Sequence, residues 1–369
     1  MNRMSRRISR SPLAWPLLAA LLALVGVACS ASHQSASPHC PDAKQSCPAS
    51  ASSAARGAGP STTAREAPGS PTASPSPTGQ PTATAGPSGA PGKPAGACAS
   101  PGACGFPDAR TTGPRTPLKP HKTGYLAVRT NGLVIRGWDI TGSLDVYAND
   151  VTVIDTRITS DSWWGINLRP GYHGLRVLHS TITAVPGKGP DNGGVDYAVS
   201  NMGGSSVEVG WCDVSVFGDA LSMGQGDLHD NYVHDIVPFI NQGGEWQHTD
   251  AVISGGGNTG QLIIRHNTLL NPTSLKQGAS GSIGLFADTG VVRNVTVDHN
   301  WIAGGAYALY GGDKGANGIK VTDNVFSTQY HPASGGYGTV AHWNAGGTGN
   351  VWRNNRMSDG RPIQPEPSS

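Results

Sequence analysis

The stretch LVIRGWDITGSLDVYANDVTVIDTRI, residues 133–158, decides how this chain folds. Twice within it, 18 residues apart, an apolar residue is followed two positions on by a second and five further on by a third: Leu133/Ile135/Ile140, then Val151/Val153/Ile158. Alternation at period two belongs to strands and not to helices. The pattern returns at Leu175/Val177/Ile182, Val207/Val209/Val214, Leu262/Ile264/Leu269, Val295/Val297/Ile302 and Ile319/Val321/Phe326. Shortened copies stand at Leu228/Val233 and Trp352/Met357. Nine copies spaced 18 to 36 residues apart are the mark of a repeat architecture, in which no single unit can bury its own apolar face and stacking supplies the core.

Each unit carries a further short apolar segment, among them Gly165-Ile166-Asn167-Leu168, Tyr197-Ala198-Val199, Asp219-Ala220-Leu221, Asp250-Ala251-Val252 and Tyr307-Ala308-Leu309. Several short strands per repeat, joined by variable connections, predict an all-β parallel β-helix of about nine coils over residues 105–360. A second register supports it. Two positions before each closing apolar residue stand Asn231, Asn267, Asn300, Asn324 and Asn355, with Trp138, Thr156, Ser180 and Cys212 in the earlier copies. Asn tolerates left-handed backbone and bonds to neighbouring peptide groups, so this column reads as a stacked ladder at one turn, with Cys212 a small buried thiol within it. Insertions at 184–196, 238–248 and 272–282 fall between strands and are expected to wall a groove on one side.

Outside the repeat the composition changes. Arg3, Arg6, Arg7 and Arg10 precede an apolar run from Leu13 to Ala28 that ends at Cys29. That reads as a signal segment, residues 1–29, too short to span and stay in a membrane. Gly26-Val27-Ala28-Cys29 is similar to a bacterial lipobox, with Gly where Leu is usual; lipidation at Cys29 and ordinary cleavage nearby are both open, and both put the mature chain outside the cytoplasm, secreted or at the cell surface. Seventeen of the 28 prolines lie between Ser30 and Pro120, and no Phe, Trp or Tyr occurs from Pro16 to Gly105. Residues 30–104 therefore read as a disordered Pro/Ser/Thr/Ala/Gly spacer, with Cys40/Cys47 and Cys98/Cys104 as close pairs suited to local disulfides; 361–369 read as a tail. A net charge of +2 with 14% charged residues gives no electrostatic reason to invoke nucleic acid or an anionic membrane patch. Contact with a membrane would come only through the lipid, and a capped solenoid needs no partner subunit, so a monomer is expected.

Aligning the second strand segments puts Asp219 and Asp250 at equivalent positions of successive coils, about 5 Å apart. Carboxylates that close share a proton, hold a cation such as Ca2+, or work as an acid/base pair; the alternative is a pair of turn residues bonded to backbone. His248, two before Asp250, is placed on the same strand face, and Glu245 and Trp246 lie just before it. Lys276, Lys188 and Arg169 are candidate cations for an acidic sugar, and Trp163, Trp164, Trp246 and Trp343 candidate stacking surfaces. His331 and His342 lie near Tyr337 in the last coils. No zinc spacing, nucleophile elbow or phosphate loop occurs.

The repeat resembles the right-handed parallel β-helix proteins of the pectate lyase-like superfamily. More narrowly it is similar to a secreted actinobacterial branch that opens with Gly105-Phe106-Pro107-Asp108-Ala109, running to Thr112-Gly113, and carries a His-x-Asp strand, here His248-Thr249-Asp250. Where that pattern continues with Gly and Gln this chain has Ala251 and Ile253, and where relatives often carry Lys it has Ser222. The resemblance implies an extracellular polysaccharide lyase acting on a uronate-containing glycan by β-elimination. Asp219 and Asp250 would hold a cation or neutralise the substrate, His248 or Lys276 would be the base, and Glu245, Trp246, Arg169 and Trp164 would contact substrate. An inverting glycoside hydrolase using Asp219 and Asp250, similar to polygalacturonases, and a non-catalytic glycan-binding β-helix remain alternatives.

Overall fold

A computed structural model of the chain describes residues 98–202 and 204–365. The signal segment with Cys29, most of the spacer and the Cys40/Cys47 pair lie outside the described residues. What is described is a parallel β-helix. Sheet one has nine strands, one per coil, from Val134–Arg136 through Thr152–Ile154, Arg176–Leu178, Glu208–Gly210, Gly226–His229, Leu262–Arg265, Val295–Asp298 and Lys320–Thr322 to Val351–Arg353. Each pairs in parallel with the next, and the middle apolar residue of every repeat falls in one register line, as in Ile135↔Val153↔Val177↔Val209. The count of nine coils and their phase are those of the repeat.

The strand Trp138–Val146 turns the next corner without a break. The strand Lys119–Val128 pairs in parallel along the whole of it and is the first strand of both remaining sheets. The first half of Trp138–Val146 continues into sheet two (Arg157–Ser160, Thr181–Ala184, Asp213–Ser215, Tyr232–His234, Thr268–Asn271, Trp301–Gly304, Val325–Phe326, Arg356–Met357). Its second half continues into sheet three (Trp164–Leu168, Tyr197–Asn201, Asp219–Ser222, Asp250–Ser254, Gly281–Leu285, Tyr307–Gly311, Gly338–Ala341). The Ile, Leu and Val of the repeat fill one continuous buried core, each such side chain contributing roughly 1.5–3 kcal/mol by leaving water. Among the described residues no helix is long and apolar enough to cross a membrane.

The corner between sheets one and two carries the asparagine column, and its bonding explains the repeat. The Asn231 N–H and Nδ2 both donate to Asn267 Oδ1, at 3.0 and 2.9 Å. Asn267 does the same to Asn300, Asn300 to Asn324 and Asn324 to Asn355. Each Nδ2 also reaches a carbonyl of the preceding coil, such as Asn267 to Leu228 at 2.9 Å. The ladder continues in weaker form through Cys212, whose N–H donates to Asn231 Oδ1 at 3.0 Å, and through Thr156, whose N–H donates to Ser180 Oγ at 3.2 Å. The expected left-handed backbone is present one residue earlier than the asparagine: Gly137, Asp155, His179, Trp211, Asp230, His266, His299, Asp323 and Asn354 all have φ between 44° and 70°. The asparagines serve as buried bonding partners, and their neighbours make the turn.

Residues outside 105–360 also pack on the solenoid. A Cys98–Cys104 disulfide forms, as its spacing suggested. From it the chain runs as a strap back along the rod. The Cys98 N–H donates to Ser358 O in the last coil, His266 Nε2 bonds Gly105 O, the Gly113 N–H donates to Trp211 O, Arg115 pairs with Asp155, and the Lys119 N–H donates to Gly137 O in the first coil. Phe106 sits against Trp301, Leu270 and Val325 in a small second core outside sheet two. At the far end Ile363 is buried and accepts the Trp352 indole N–H on its carbonyl, so part of the expected tail closes the last coil.

Candidate functional site

The three insertions all leave sheet two and enter sheet three, so they share one corner and stack. Residues 185–194 and 240–246 are tight antiparallel turns, bridged at Gly189↔Gly193 and Ile240↔Trp246. They are joined by Gln242 N–H donating to Asp191 Oδ1 at 2.7 Å and Asn192 Nδ2 donating to Ile240 O at 3.1 Å. The third contributes the short 3-10 turn Leu275–Gln277 and accepts the Thr249 N–H on Gly278 O. A fourth insertion, 327–337, continues the row through Gly336 N–H donating to Gly305 O. Together they wall one edge of sheet three.

Against that wall lies the aligned pair. Asp219 and Asp250 are register partners on adjacent strands, both buried. Asp250 Oδ1 accepts the Gly281 N–H at 2.7 Å, while Asp250 Oδ2 and Asp219 Oδ1 have no hydrogen-bond partner. His248 Nδ1 lies 3.5 Å from Asp219 Oδ2, and its side chain is 63% exposed. One ligating atom of each of the three falls within 4.8 Å of the others. The glycines of the next strand make room for this: a Cβ on Gly284 would sit 2.6 Å from Asp250 Oδ1, and one on Gly281 3.0 Å from it.

The charges are strained in a consistent direction. Burial, then the neighbouring Asp219 charge, hold the Asp250 carboxyl well above the usual carboxylate range. Pairing with Asp219 pushes His248 up to about 9. Asp196, one residue before this column, is pushed up to about 8 by burial and then by Asp191 and Asp219. At neutral pH Asp196 and His248 therefore hold protons, and the Asp250 carboxyl resists ionisation. Proton donors and acceptors of displaced pKa, packed at the foot of a wall, are the raw material of acid/base chemistry.

Asp219, Asp250 and His248 are thus brought together. Trp246 is 41% exposed on the second insertion; Glu245 is exposed beside it and takes no part in the cluster. Lys276 and Lys188 are exposed on neighbouring turns and make no ion pair among the described residues. Arg169 and Trp164 lie on the same sheet toward the first coil, where Trp164↔Tyr197↔Asp219 is one register line. Arg169 pairs with buried Asp145 at 3.4 Å and its guanidinium carbon stands 5.5 Å from the Trp164 ring centroid. Asp191 and Asp196 were not among the sequence candidates. The signal for Asp196 was its place next to Tyr197, which aligns with Asp219; Asp191, deep in an insertion, gave none.

Among the described residues, seven of the ten buried side-chain atoms without a partner belong to sheet three or to the residue after one of its strands: Ser143, Trp164, Asn167, Arg169, Asn201, Asp219 and Asp250. Native proteins leave few such groups, and most of these lie along sheet three. The chain matches no protein-family model, and no curated protein or solved structure matches it.

Proposed function

We propose that sheet three binds a uronate-containing extracellular glycan along its length and that the Asp219/Asp250/His248 group cleaves it by β-elimination, in the manner of the pectate lyase-like proteins that the repeat resembles. The observation that carries this reading is the pair of buried carboxylates, each with an unpartnered oxygen, set beside an exposed imidazole under a wall of insertions. A β-elimination needs a base for the proton α to the uronate carboxylate and positive charge to stabilise the enolate-like anion. His248 is the group placed to take that proton once its own has left, and Asp219 holds its ring. Asp250, whose ionisation burial and the Asp219 charge oppose, is placed to return a proton to the leaving oxygen while no cation is bound. Arg169, fixed by Asp145 and Trp164, is the cation for a sugar carboxylate further along the chain.

The acidic floor suits an anionic substrate only if something offsets it. Two carboxylates with unpartnered oxygens and one imidazole are a donor set for a divalent ion, with Ca2+ or Mn2+ favoured by the carboxylates. Asp219 and Asp250 would hold it, Asp250 giving up its proton to do so; the leaving oxygen would then take its proton from water, and His248 would remain the base. Bound there, a cation would supply the positive charge facing the uronate carboxylate.

The carboxyl oxygens lie within 4.8 Å, whereas an inverting hydrolase leaves roughly 6.5–9.5 Å between its two carboxyls for water; that argues against the inverting alternative. Among the described residues no Lys pairs with the dyad, and Ser222 stands where relatives often carry one; this favours the non-catalytic glycan-binding alternative as second reading. The deciding experiment follows ultraviolet absorbance of the unsaturated product on pectate, alginate and glucuronan, with Ca2+, with Mn2+ and with chelator. Product that disappears in Asp250→Asn supports the lyase. Glycan affinity without product, unaltered by Asp250→Asn, establishes the binding protein.

The tether and secretion belong to the same reading. A signal segment ending at Cys29 and a long spacer would hold the solenoid outside the cell as a lipoprotein or release it, where such polysaccharides are found.

A further inference from the structure

The register line through Asp219 and Asp250 continues past the dyad, and its chemistry changes. Gly281, whose N–H bonds Asp250, pairs with Tyr307, and Tyr307 with Gly338. Tyr307 therefore stands two strand spacings beyond Asp250, roughly 10 Å along the sheet. The Tyr307 ring meets Tyr310 at 5.5 Å between centroids and Tyr337 at 6.0 Å, while Tyr310 stacks on His342 at 5.7 Å. Gly338 permits this: a Cβ there would lie 3.1 Å from the Tyr307 ring. Tyr307, Tyr337 and His342 line a cleft of about 880 Å³ shared with Asp313, Lys314 and Asn344.

Two details show a surface fitted to a ligand. Tyr337 is 68% exposed, on the fourth insertion, with its backbone pinned by its N–H to Ala306 O at 2.7 Å. A large ring presented on a fixed backbone loses little freedom when something stacks on it. Asp313 is bonded by His342, itself in left-handed backbone, so that carboxylate is engaged. Lys314 is exposed at the cleft without a salt-bridge partner among the described residues.

We infer that this cleft is a separate uronate subsite, in which a glycan two coils from the dyad stacks a sugar ring on Tyr307 and Tyr337 and pairs a carboxylate with Lys314 toward the other end of the cleft. The inference rests on sheet three being the glycan-binding face, and it adds that the chain is gripped at a distance from the reacting bond. Such a grip holds oligosaccharides long enough to reach from dyad to cleft and does nothing for a disaccharide at the dyad.

The test titrates the intact chain with hexagalacturonate and hexamannuronate, and with their carboxyl-reduced counterparts, by calorimetry, and reads cleavage separately. Tyr337 and Lys314 are both exposed, so Tyr337→Ala and Lys314→Gln are expected to keep the native circular dichroism. The expected result is at least tenfold weaker binding of a hexauronate by Tyr337→Ala. Lys314→Gln should weaken the hexauronates at least fivefold and leave the reduced sugars unchanged. Equal affinity for reduced and acidic sugars, unchanged hexauronate affinity in both variants, or no hexauronate binding would overturn the subsite. Binding that depends on Tyr337 and Lys314 without unsaturated product would leave the subsite standing and remove the lyase. Product formation with affinity and KM unchanged in both variants would do the reverse.

Discussion

Two stacks of buried polar side chains run along this solenoid, and they are bonded in opposite ways. At the corner between sheets one and two, Asn231, Asn267, Asn300 and Asn324 each donate to the asparagine of the next coil, ending at Asn355, whose Nδ2 donates back to Val321 O. On sheet three, Asp219 and Asp250 also stack in register, yet each keeps an oxygen without a partner and the charged forms oppose one another. A buried amide column with every group bonded stabilises the coil it closes. A buried carboxylate pair left half-bonded costs stability and is available to a substrate, a proton or a cation. Equal burial and equal repetition thus separate into structure and site by the count of satisfied atoms.

The largest expected effect comes from breaking the satisfied stack. Asn267→Ala removes the acceptor of two Asn231 donors and the donor to Leu228 O and Asn300 Oδ1. With about 1–3 kcal/mol for each buried group left unpaired, a loss of about 3–5 kcal/mol is expected, read as a lower urea midpoint at unchanged m-value. A loss under 1 kcal/mol would mean that the column is not what holds the corner.

The half-bonded stack should respond to pH instead. In chelator, the native state keeps protons that the unfolded chain releases: Asp196 near 8 in the fold against about 3.9 unfolded, and His248 near 9 against about 6.5. Wherever the native state holds more protons, stability falls as pH rises. The Asp196 contribution is therefore lost between about pH 4 and 8 and the His248 contribution between about 6.5 and 9. Asp196 alone, over the three units from pH 5 to 8, gives a fall of about 4 kcal/mol; His248, discounted for its exposure, adds less, and the fall is measured as thermal midpoint against pH. A midpoint that rises across this range would refute the protonation states assigned here.

Asp250→Asn separates the two stacks more sharply. It removes a carboxyl whose ionisation burial and the Asp219 charge oppose, keeps an acceptor for the Gly281 N–H, and should raise stability by about 1 kcal/mol at pH 8 while abolishing cation binding and cleavage. Gain of stability with loss of function is the signature of a site; loss of both would make Asp250 a structural residue like the asparagines.

What the sequence displays and what it hides follow the same division. Nine coils, the asparagine column and the register of Asp219 with Asp250 are all consequences of stacking, and stacking writes itself at a period. The left-handed turn positions carry Gly, Asp, His, Trp or Asn, a mixture whose shared backbone angle leaves no common letter, so they were assigned to the asparagine one residue on. Asp191, the fourth insertion and the 98–113 strap have no periodicity at all, because each acts once, through contacts set by the finished fold. Lys276 and Glu245 read as site residues by proximity in sequence, but their turns carry them into solvent on the wall.

The smallest effect tests whether the corner rule is general. Cys212 occupies the asparagine position in its coil; its N–H donates to Asn231 Oδ1, and its thiol makes only 3.4 Å contacts to Val177 O and Gly210 O. Asn has nearly the same volume. In Cys212→Asn the amide Nδ2 would replace the thiol at Val177 O, as Asn231 Nδ2 bonds Val209 O, and the new Oδ1 would face the Ser180 N–H, as Asn267 Oδ1 faces the Asn231 N–H. Two ordinary hydrogen bonds in place of two weak sulfur contacts should gain about 1 kcal/mol, a midpoint rise of a few degrees in a domain of this size. A loss would show that the early coils, with Thr156, Ser180 and Cys212 in the column, are too tightly wound there to take the amide. The ladder would then be a device of the later coils alone, beginning at Asn231, the coil that lies between Asp219 and Asp250 in the chain.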